Sequence, residues 1–117
     1  MPTGARGEGY VEYEGEQKPV LFTNRALAEA EQVLGKSVVS LVRYNTPGFD
    51  DTIKLLAIGM EHGRRDAKEA RRSYTVNDAV AVMDQMGYSQ VVLIIVEAIA
   101  AVISYKAGEK DESDPPV

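Results

Sequence analysis

The sequence predicts a small, mainly α-helical domain of four to five helices with an N-terminal β-hairpin. Two short runs rich in β-favouring residues, at 10–13 and 19–22, lie on either side of a glycine turn. Several later segments carry apolar residues at intervals of three and four, each behind a residue type that caps helices. Near the C-terminus, the thirteen residues from Val91 to Ile103 include a single polar one, Glu97.

Length and composition indicate one domain. A chain of 117 residues with 44% hydrophobic content suits a single core. We expect residues 1–8 to be a flexible N-terminus, residues 9–105 to form the domain, and residues 106–117 to be a disordered acidic tail. The sequence has no cysteine and one histidine, which argues against disulfides and zinc sites, and we expect no cofactor. The net charge of −5 argues against general binding to nucleic acid, and no segment is long enough to span a membrane.

The chain begins with the hairpin and two helices. Pro19, at the start of the second β-type run, has no amide hydrogen for a ladder and indicates an edge strand. Thr23 or Asn24 is placed to cap a first helix, and Gly35 stands where that helix is expected to end. Ser37 is placed to cap a second, short helix that ends before the Asn-Thr-Pro-Gly break.

A third helix and a charged segment follow. Asp50 or Asp51 opens the helix, and we expect it to end at His62 and Gly63. Beyond it, residues 64–72 are dominated by charge and form a loop or an exposed helical extension. At the end of a helix, a histidine interacts favourably with the helix dipole, which is the interpretation we favour for His62 over a catalytic or metal-binding role.

Two more helices complete the domain. Thr75 and Asp78 form a Thr-x-x-Asp variant of the capping box, and Ser89 is placed to cap the last helix. At about 1.5 Å per residue, Val91 to Ile103 spans roughly 20 Å as a helix, short of the roughly 30 Å of a bilayer core. A helix that is apolar all round must be covered on all sides, so we interpret it as the central core element or a subunit interface. Glu97 then either lies at a wet rim or pairs with an arginine of this or another subunit.

The candidate site residues favour binding over catalysis. No glycine-rich phosphate loop, metalloprotease motif or nucleophile elbow occurs, so we expect no enzymatic activity. The tyrosines of the hairpin fit a half-buried strand face and an exposed binding edge equally well. The candidate protein-interaction residues are Tyr10, Tyr13, Phe22, Ile95, Glu97 and Ile99. The candidate basic patch, which is either a solvated charged face or a phosphate contact, is Arg64, Arg65, Lys68, Arg71 and Arg72.

Three segments carry a resemblance to a known family. Residues 20–37, VLFTNRALAEAEQVLGKS, are followed by LLAIGMEH at 55–62 and by YTVNDA at 74–79. In this order the segments resemble phage tail assembly chaperones, in the group related to a tail protein of gene transfer agents. The resemblance covers Gly9 to Ile103, although residues 43–49 and 64–72 look longer than is usual in the family.

The resemblance implies a non-enzymatic protein that binds the tape measure protein of a long-tailed phage and promotes polymerisation of the tail tube protein. It further implies a homo-oligomer that works in the host cytoplasm during assembly and is absent from the mature virion, often beside a frameshifted longer form. Two alternatives stay open. One is a structural virion component, such as a tail tube or connector subunit, and the other is a small nucleic-acid-binding regulator that uses residues 64–72.

Overall fold

The computed structural model describes residues 4–107. In chain order the elements are β1 (Gly7–Tyr13), β2 (Glu16–Phe22), α1 (Asn24–Leu34), α2 (Val38–Tyr44), α3 (Phe49–Asp66), α4 (Val76–Met86) and α5 (Tyr88–Ile103). The prediction of a mainly α-helical domain with an N-terminal hairpin is confirmed. Residues 108–117, which hold most of the predicted acidic tail, lie outside the described part of the chain.

The two strands form an antiparallel hairpin in which Tyr10 pairs with Pro19 and Tyr13 with Glu16. The turn between them consists of Glu14 and Gly15, whose φ angles are 55° and 79°. Two consecutive positive φ angles are typical of a type I′ turn, which matches the twist of the strands it joins. The glycine predicted in this turn therefore has a backbone reason to be there.

The domain begins earlier than the sequence predicts. Strand β1 starts at Gly7, so Gly7 and Glu8 belong to the sheet and not to a flexible N-terminus. A β-carbon at Gly7 would lie 1.7 Å from the carbonyl oxygen of Ala98, so β1 approaches α5 backbone to backbone. Arg6 continues the ordered structure, with its Nη2 2.8 Å from Oδ2 of Asp66. From the sequence alone, a glycine such as Gly7 that is required by close packing cannot be distinguished from a glycine in a flexible segment.

Local capping signals are confirmed at three of the five helices. The Thr23 hydroxyl accepts a hydrogen bond from the amide of Ala26, and the Ser37 hydroxyl accepts one from the amide of Ser40. Thr75 heads α4 with the reciprocal bonds of a capping box. Gly35 ends α1 in the left-handed conformation, with φ at 72°.

The boundaries of α3 and the start of α5 differ from the predictions. Helix α3 begins behind Gly48, and the two predicted capping aspartates lie in its first turn, where carboxylates favour the helix dipole. The helix does not end at Gly63 but continues to Asp66. A β-carbon at Gly63 would lie 2.2 Å from the carbonyl oxygen of Pro19. This glycine therefore lets α3 pass close to β2. Helix α5 begins at Tyr88, directly after Gly87, and Ser89 does not cap it.

The core lies between the hairpin and the helices. Helix α3 packs along β2, α5 packs along β1, and α4 contacts both α3 and β1. The largest side chains that are fully buried come from β2, α3 and α5, and they are Phe22, Leu55, Leu56, Met60, Ile95 and Ile99. Helix α2 is short and contacts α5 from the side away from the hairpin, which leaves part of α5 open.

Candidate interaction surface

Helix α5 buries one face and exposes the other. Val91, Ile95 and Ile99 recur at a spacing of four and are at most 1% exposed. The opposite face is open, with Leu93 57% exposed and with Glu97, Ala100 and Ala101 beside it. Within the part of the chain that the structure describes, this helix is therefore covered on one face only, and the alternative that its other face is a subunit interface stays a prediction. The hairpin, α3 and α4 take up the buried face, and α2 is too short to cover the rest.

An apolar groove runs beside this open face, between α2, the loop that follows it and α5. We call it the α2/α5 groove, and its volume is about 380 Å³. It is lined by Val42, Asn45, Thr46, Pro47, Tyr88, Ser89, Val92, Leu93 and Val96. No lining side chain is charged, and the apolar ones come from two separate helices and from a proline. A neutral concave surface of this kind suits an apolar segment of another chain.

Specific contacts hold the wall of the groove in place. The Tyr88 hydroxyl donates a hydrogen bond to the carbonyl oxygen of Pro47, which ties the loop to the start of α5. The ring of Phe49 lies against that of Tyr88, with centroids 4.5 Å apart, although Phe49 is 66% exposed. The Thr52 hydroxyl approaches the same Pro47 carbonyl at 3.4 Å. The groove is therefore formed before any ligand arrives, apart from side-chain adjustments.

Two further grooves lie elsewhere on the surface. One, between α1, α2 and the end of α5, is lined partly by Leu27, Val39 and Ile103. The other, between α1, α3 and the start of α4, includes Val33 and Val76, which are 51% and 48% exposed. Both of these grooves contain carboxylates, at Glu31 in the first and at Glu29 and Glu61 in the second. The α2/α5 groove differs from them in being uncharged.

The predicted interaction residues divide into buried and exposed ones. Phe22, Ile95 and Ile99 are at most 1% exposed in the core, so the prediction that they contact a partner is wrong. Their apolar surface is buried inside the domain and is not accessible to a partner. Tyr10 is 58% exposed on the hairpin and remains available to a partner. Glu97 is exposed, as the rim interpretation expected, and it forms no salt bridge within residues 4–107.

The charged segment at the end of α3 and in the loop that follows is organised around the buried carboxylate of Glu61. Its oxygens accept hydrogen bonds from Arg64 Nη2 at 2.6 Å, from Arg65 Nε at 3.0 Å and from the amide of Tyr74 at 2.9 Å. The Arg64 guanidinium holds the pKa of the Glu61 carboxyl well below its usual range, against the opposing effect of burial. Arg64 also donates to the backbone carbonyl oxygens of Glu69 and Arg71. This set of contacts fixes the loop between α3 and α4.

A second buried carboxylate, Asp78, joins the same loop to the hairpin. Arg72 Nη1 lies 2.8 Å from Asp78 Oδ2 and lowers the pKa of that carboxyl well below its usual range. The Tyr13 hydroxyl donates to the other oxygen of Asp78, which raises the pKa of the tyrosine. Arg71 lies over the ring of Tyr74 at 4.2 Å from the centroid, and over that of Tyr13 at 5.6 Å. Tyr13 is therefore a structural residue of this cluster.

The predicted basic patch is largely neutralised from within. Salt bridges join Arg64 and Arg65 to Glu61, Arg71 to Glu14, and Arg72 to Asp78. Lys68, which has a φ of 57°, is the one member of the set without a salt bridge inside the described range. A surface whose cations are already paired with carboxylates offers little net charge to phosphates.

The predicted role of His62 at a helix end is wrong, because α3 continues to Asp66 and places this residue inside the helix. Its Nε2 lies 3.0 Å from Oε1 of Glu29 in α1, so it links two helices.

Within residues 4–107, no three histidine, aspartate or glutamate side chains come together as a candidate metal site. No single helix in this range has the length and apolarity to cross a bilayer; α4 and α5 meet the criteria of length and composition only together, across a bend of 116°.

Sequence reasoning missed the residues of the groove. Tyr88, Val92, Leu93 and Val96 lie in or beside the apolar run that the sequence assigned wholly to burial. The position of Glu97 was the available signal, because an isolated carboxylate marks the exposed side of a helix. Residues one turn or less from it, including Leu93 and Val96, then fall on or beside the open face.

No protein-family model, no curated protein and no solved structure matches this chain.

Proposed function

We propose that this chain is a non-enzymatic tail assembly chaperone, which binds the tape measure protein of a long-tailed phage and promotes polymerisation of the tail tube protein. The observation that carries the proposal is the uncharged α2/α5 groove, with Leu93 exposed at its edge. A protein that keeps a long apolar client from aggregating needs a concave apolar surface that stays open in its own folded state. The resemblance at residues 20–37, 55–62 and 74–79 supplies the identity of the client. In this proposal the protein works in the host cytoplasm during assembly and leaves before the particle is complete.

Co-expression with the tape measure protein of the same phage tests the proposal. We expect the wild-type chain to keep the tape measure protein in the soluble fraction and to co-purify with it. Leu93→Asp introduces a charge into the groove and is expected to abolish both effects, because a buried unpaired carboxylate opposes apolar contact. Val33→Asp is the matched control, since Val33 is 51% exposed against 57% for Leu93 and lies outside the groove. Equal performance of the two variants would exclude the groove as the client site.

A structural virion component is the second candidate, because an apolar groove also suits permanent contact with a tube or connector neighbour. The protein content of purified particles distinguishes the chaperone from the virion component. A chaperone is expected to be missing from them, whereas a tube or connector subunit is expected in many copies. The regulator alternative has less support, since the arginines of residues 64–72 are paired with carboxylates. It would require a DNA affinity that falls steeply with salt.

A further inference from the structure

We infer that the free edge of β1 is a docking site for an extended, basic segment of another protein, which adds to the hairpin as a third, antiparallel strand. The inference goes beyond the proposed function, because it concerns a different surface from the α2/α5 groove and a different kind of ligand. Either can therefore fail without the other. Tyr10, which is 58% exposed, lies at the centre of this edge.

The pairing of the hairpin shows which backbone groups of β1 point away from β2. Tyr10 pairs with Pro19, which has no amide hydrogen, so this pair is of the kind that exchanges no hydrogen bonds. The amide and carbonyl of Tyr10 therefore point outward. Those of Glu8 and Glu12 do too, because the direction repeats at every second residue of a strand. The amide of Glu12 agrees with this assignment, since it donates outward to Sδ of Met86 at 3.3 Å.

The two edges of the hairpin differ in how far they are covered. On β2, the outward carbonyl of Pro19 lies against α3, where a β-carbon at Gly63 would approach its oxygen to 2.2 Å. On β1, Met86 covers only the end of the edge nearest the turn. Within residues 4–107, no group forms a hydrogen bond with the outward amide or carbonyl of Glu8 or Tyr10. Such groups are a template for another strand.

Charge decides what kind of strand fits this edge. Glu8 and Glu12 lie on the outer face of the hairpin, on either side of Tyr10, and both are exposed. Glu12 forms no salt bridge in the described range, and Glu8 shares the Arg6 guanidinium, 3.3 Å away, with Asp66 at 2.8 Å. A lysine or arginine directly opposite either glutamate forms a cross-strand ion pair. A strand with cations two positions on either side of a central residue is therefore complementary to β1.

The same charges oppose a second copy of this chain as the ligand. Two β1 strands paired antiparallel about Tyr10 would place Glu8 of each opposite Glu12 of the other. Like charges directly opposite one another destabilise a sheet, and charged residues on an edge strand commonly prevent edge-to-edge aggregation. The edge is thus protected against its own sequence while it stays open to a basic one.

The inner side of the edge favours apolar residues in the ligand. Helix α5 lies under β1, where a β-carbon at Gly9 would lie 2.9 Å from Cγ2 of Ile94. Ile94 is only half-buried, so the inward residues of an added strand can extend the contact with it. Since side chains alternate between the two faces of a strand, the expected ligand alternates basic residues, which face outward with Glu8 and Glu12, and apolar residues, which face inward.

Fluorescence anisotropy of a labelled peptide with the full chain tests the inference. The peptide has the sequence Thr-Lys-Val-Tyr-Val-Lys-Thr, which places its lysines opposite Glu8 and Glu12. We expect a Kd on the order of 100 µM, the strength of a small interface, and binding about tenfold weaker or less when glutamates replace the lysines. Glu12→Gln should weaken binding of the lysine peptide about threefold. Gln32→Lys makes the same change in net charge at an exposed position of α1 and should leave the affinity within about 1.5-fold of the wild type.

N-methylation of the peptide separates strand addition from simple attraction between charges. The peptide tyrosine lies opposite Tyr10 and turns its amide toward β1, whereas the valine amides turn away. Methylation of the tyrosine nitrogen should therefore weaken binding about tenfold, and methylation of one valine nitrogen should change it by less than about threefold. Circular dichroism of both protein variants should match that of the wild type, because Glu12 and Gln32 are exposed. Absence of binding at about 1 mM overturns the inference, as do equal affinities of the two methylated peptides or equal effects of the two protein variants.

Discussion

Replacing Gly63 with alanine is the sharpest test of how α3 packs on the hairpin. In an ordinary helix this change stabilises, because alanine is favoured over glycine by about 1 kcal/mol in a helix interior. Here the new β-carbon would lie 2.2 Å from the carbonyl oxygen of Pro19. Real contacts of this kind essentially never fall below 3.0 Å, so strand and helix must separate by about 0.8 Å or more.

The obstacle is backbone, so no side chain can rotate away from it. Overpacking costs about 1 to 3 kcal/mol, and the upper end applies because β2 also positions the buried Val20 and Phe22. Subtracting the gain of about 1 kcal/mol in helix propensity leaves a net loss of about 2 kcal/mol. Urea unfolding followed by circular dichroism measures this as a lower midpoint with an unchanged slope.

Two control variants separate packing from propensity. Ala28→Gly, at an exposed position inside α1, should lose about 1 kcal/mol through propensity alone. Gly48→Ala, where a β-carbon meets nothing within 4 Å, should lose only about 0.5 to 1 kcal/mol, because alanine is a poorer N-cap than glycine but meets no backbone. If Gly63→Ala proves as stable as the wild type, the close approach of α3 to β2 described above does not exist.

Three further predictions follow from the buried groups and from α5. Glu61→Gln should lower the free energy of unfolding by about 3 kcal/mol, because Arg64 and the amide of Tyr74 lose a buried carboxylate; an unchanged urea midpoint would contradict this. The pKa values of Glu61 and Asp78 are lowered in the folded state, so the stability they contribute is complete above the unfolded values and is lost as the pH falls below about 4.5. Thermal melts from about pH 6 to pH 3 should therefore fall more steeply for the wild type than for Glu61→Gln, and parallel curves would count against the assignment. Ile95→Ala should cost about 2 to 5 kcal/mol in urea unfolding, whereas Leu93→Ala at monomer concentrations should cost about 0.5 kcal/mol or less; equal losses would mean that α5 is rotated relative to the core.

The features that sequence predicted correctly are those decided by neighbouring residues. Thr23, Ser37 and the Thr75–Asp78 pair bond to amides within three positions, so the chain around them contains the whole signal. The fold class follows, because such caps divide the chain into helices of the observed number and approximate length. Predicting these features requires no knowledge of contacts between residues that are distant in sequence.

The features that sequence missed depend on contacts between distant residues. Gly7 and Gly63 looked like a loose terminus and a helix stop, yet each permits an approach to a backbone carbonyl far away in sequence. The candidate site failed for a related reason. Glu97 is the single polar residue between Val91 and Ile103, so little in the sequence separates the buried face, which holds Ile95, from the open face, which holds Leu93.

The contact between β1 and α5 can form only after almost the whole domain has been synthesised. Gly7 lies against the backbone of Ala98, so the first strand has its final neighbour only after some ninety further residues have been made. At about 5 to 20 residues per second, the hairpin waits roughly 5 to 20 s on the ribosome with the inner face of β1 uncovered. The closing step joins the two ends of the domain, and contacts of such long sequence separation slow folding. A nascent chain stalled before Ala98 therefore presents an unfinished sheet to the cell, which makes it a natural substrate for cellular chaperones and proteases.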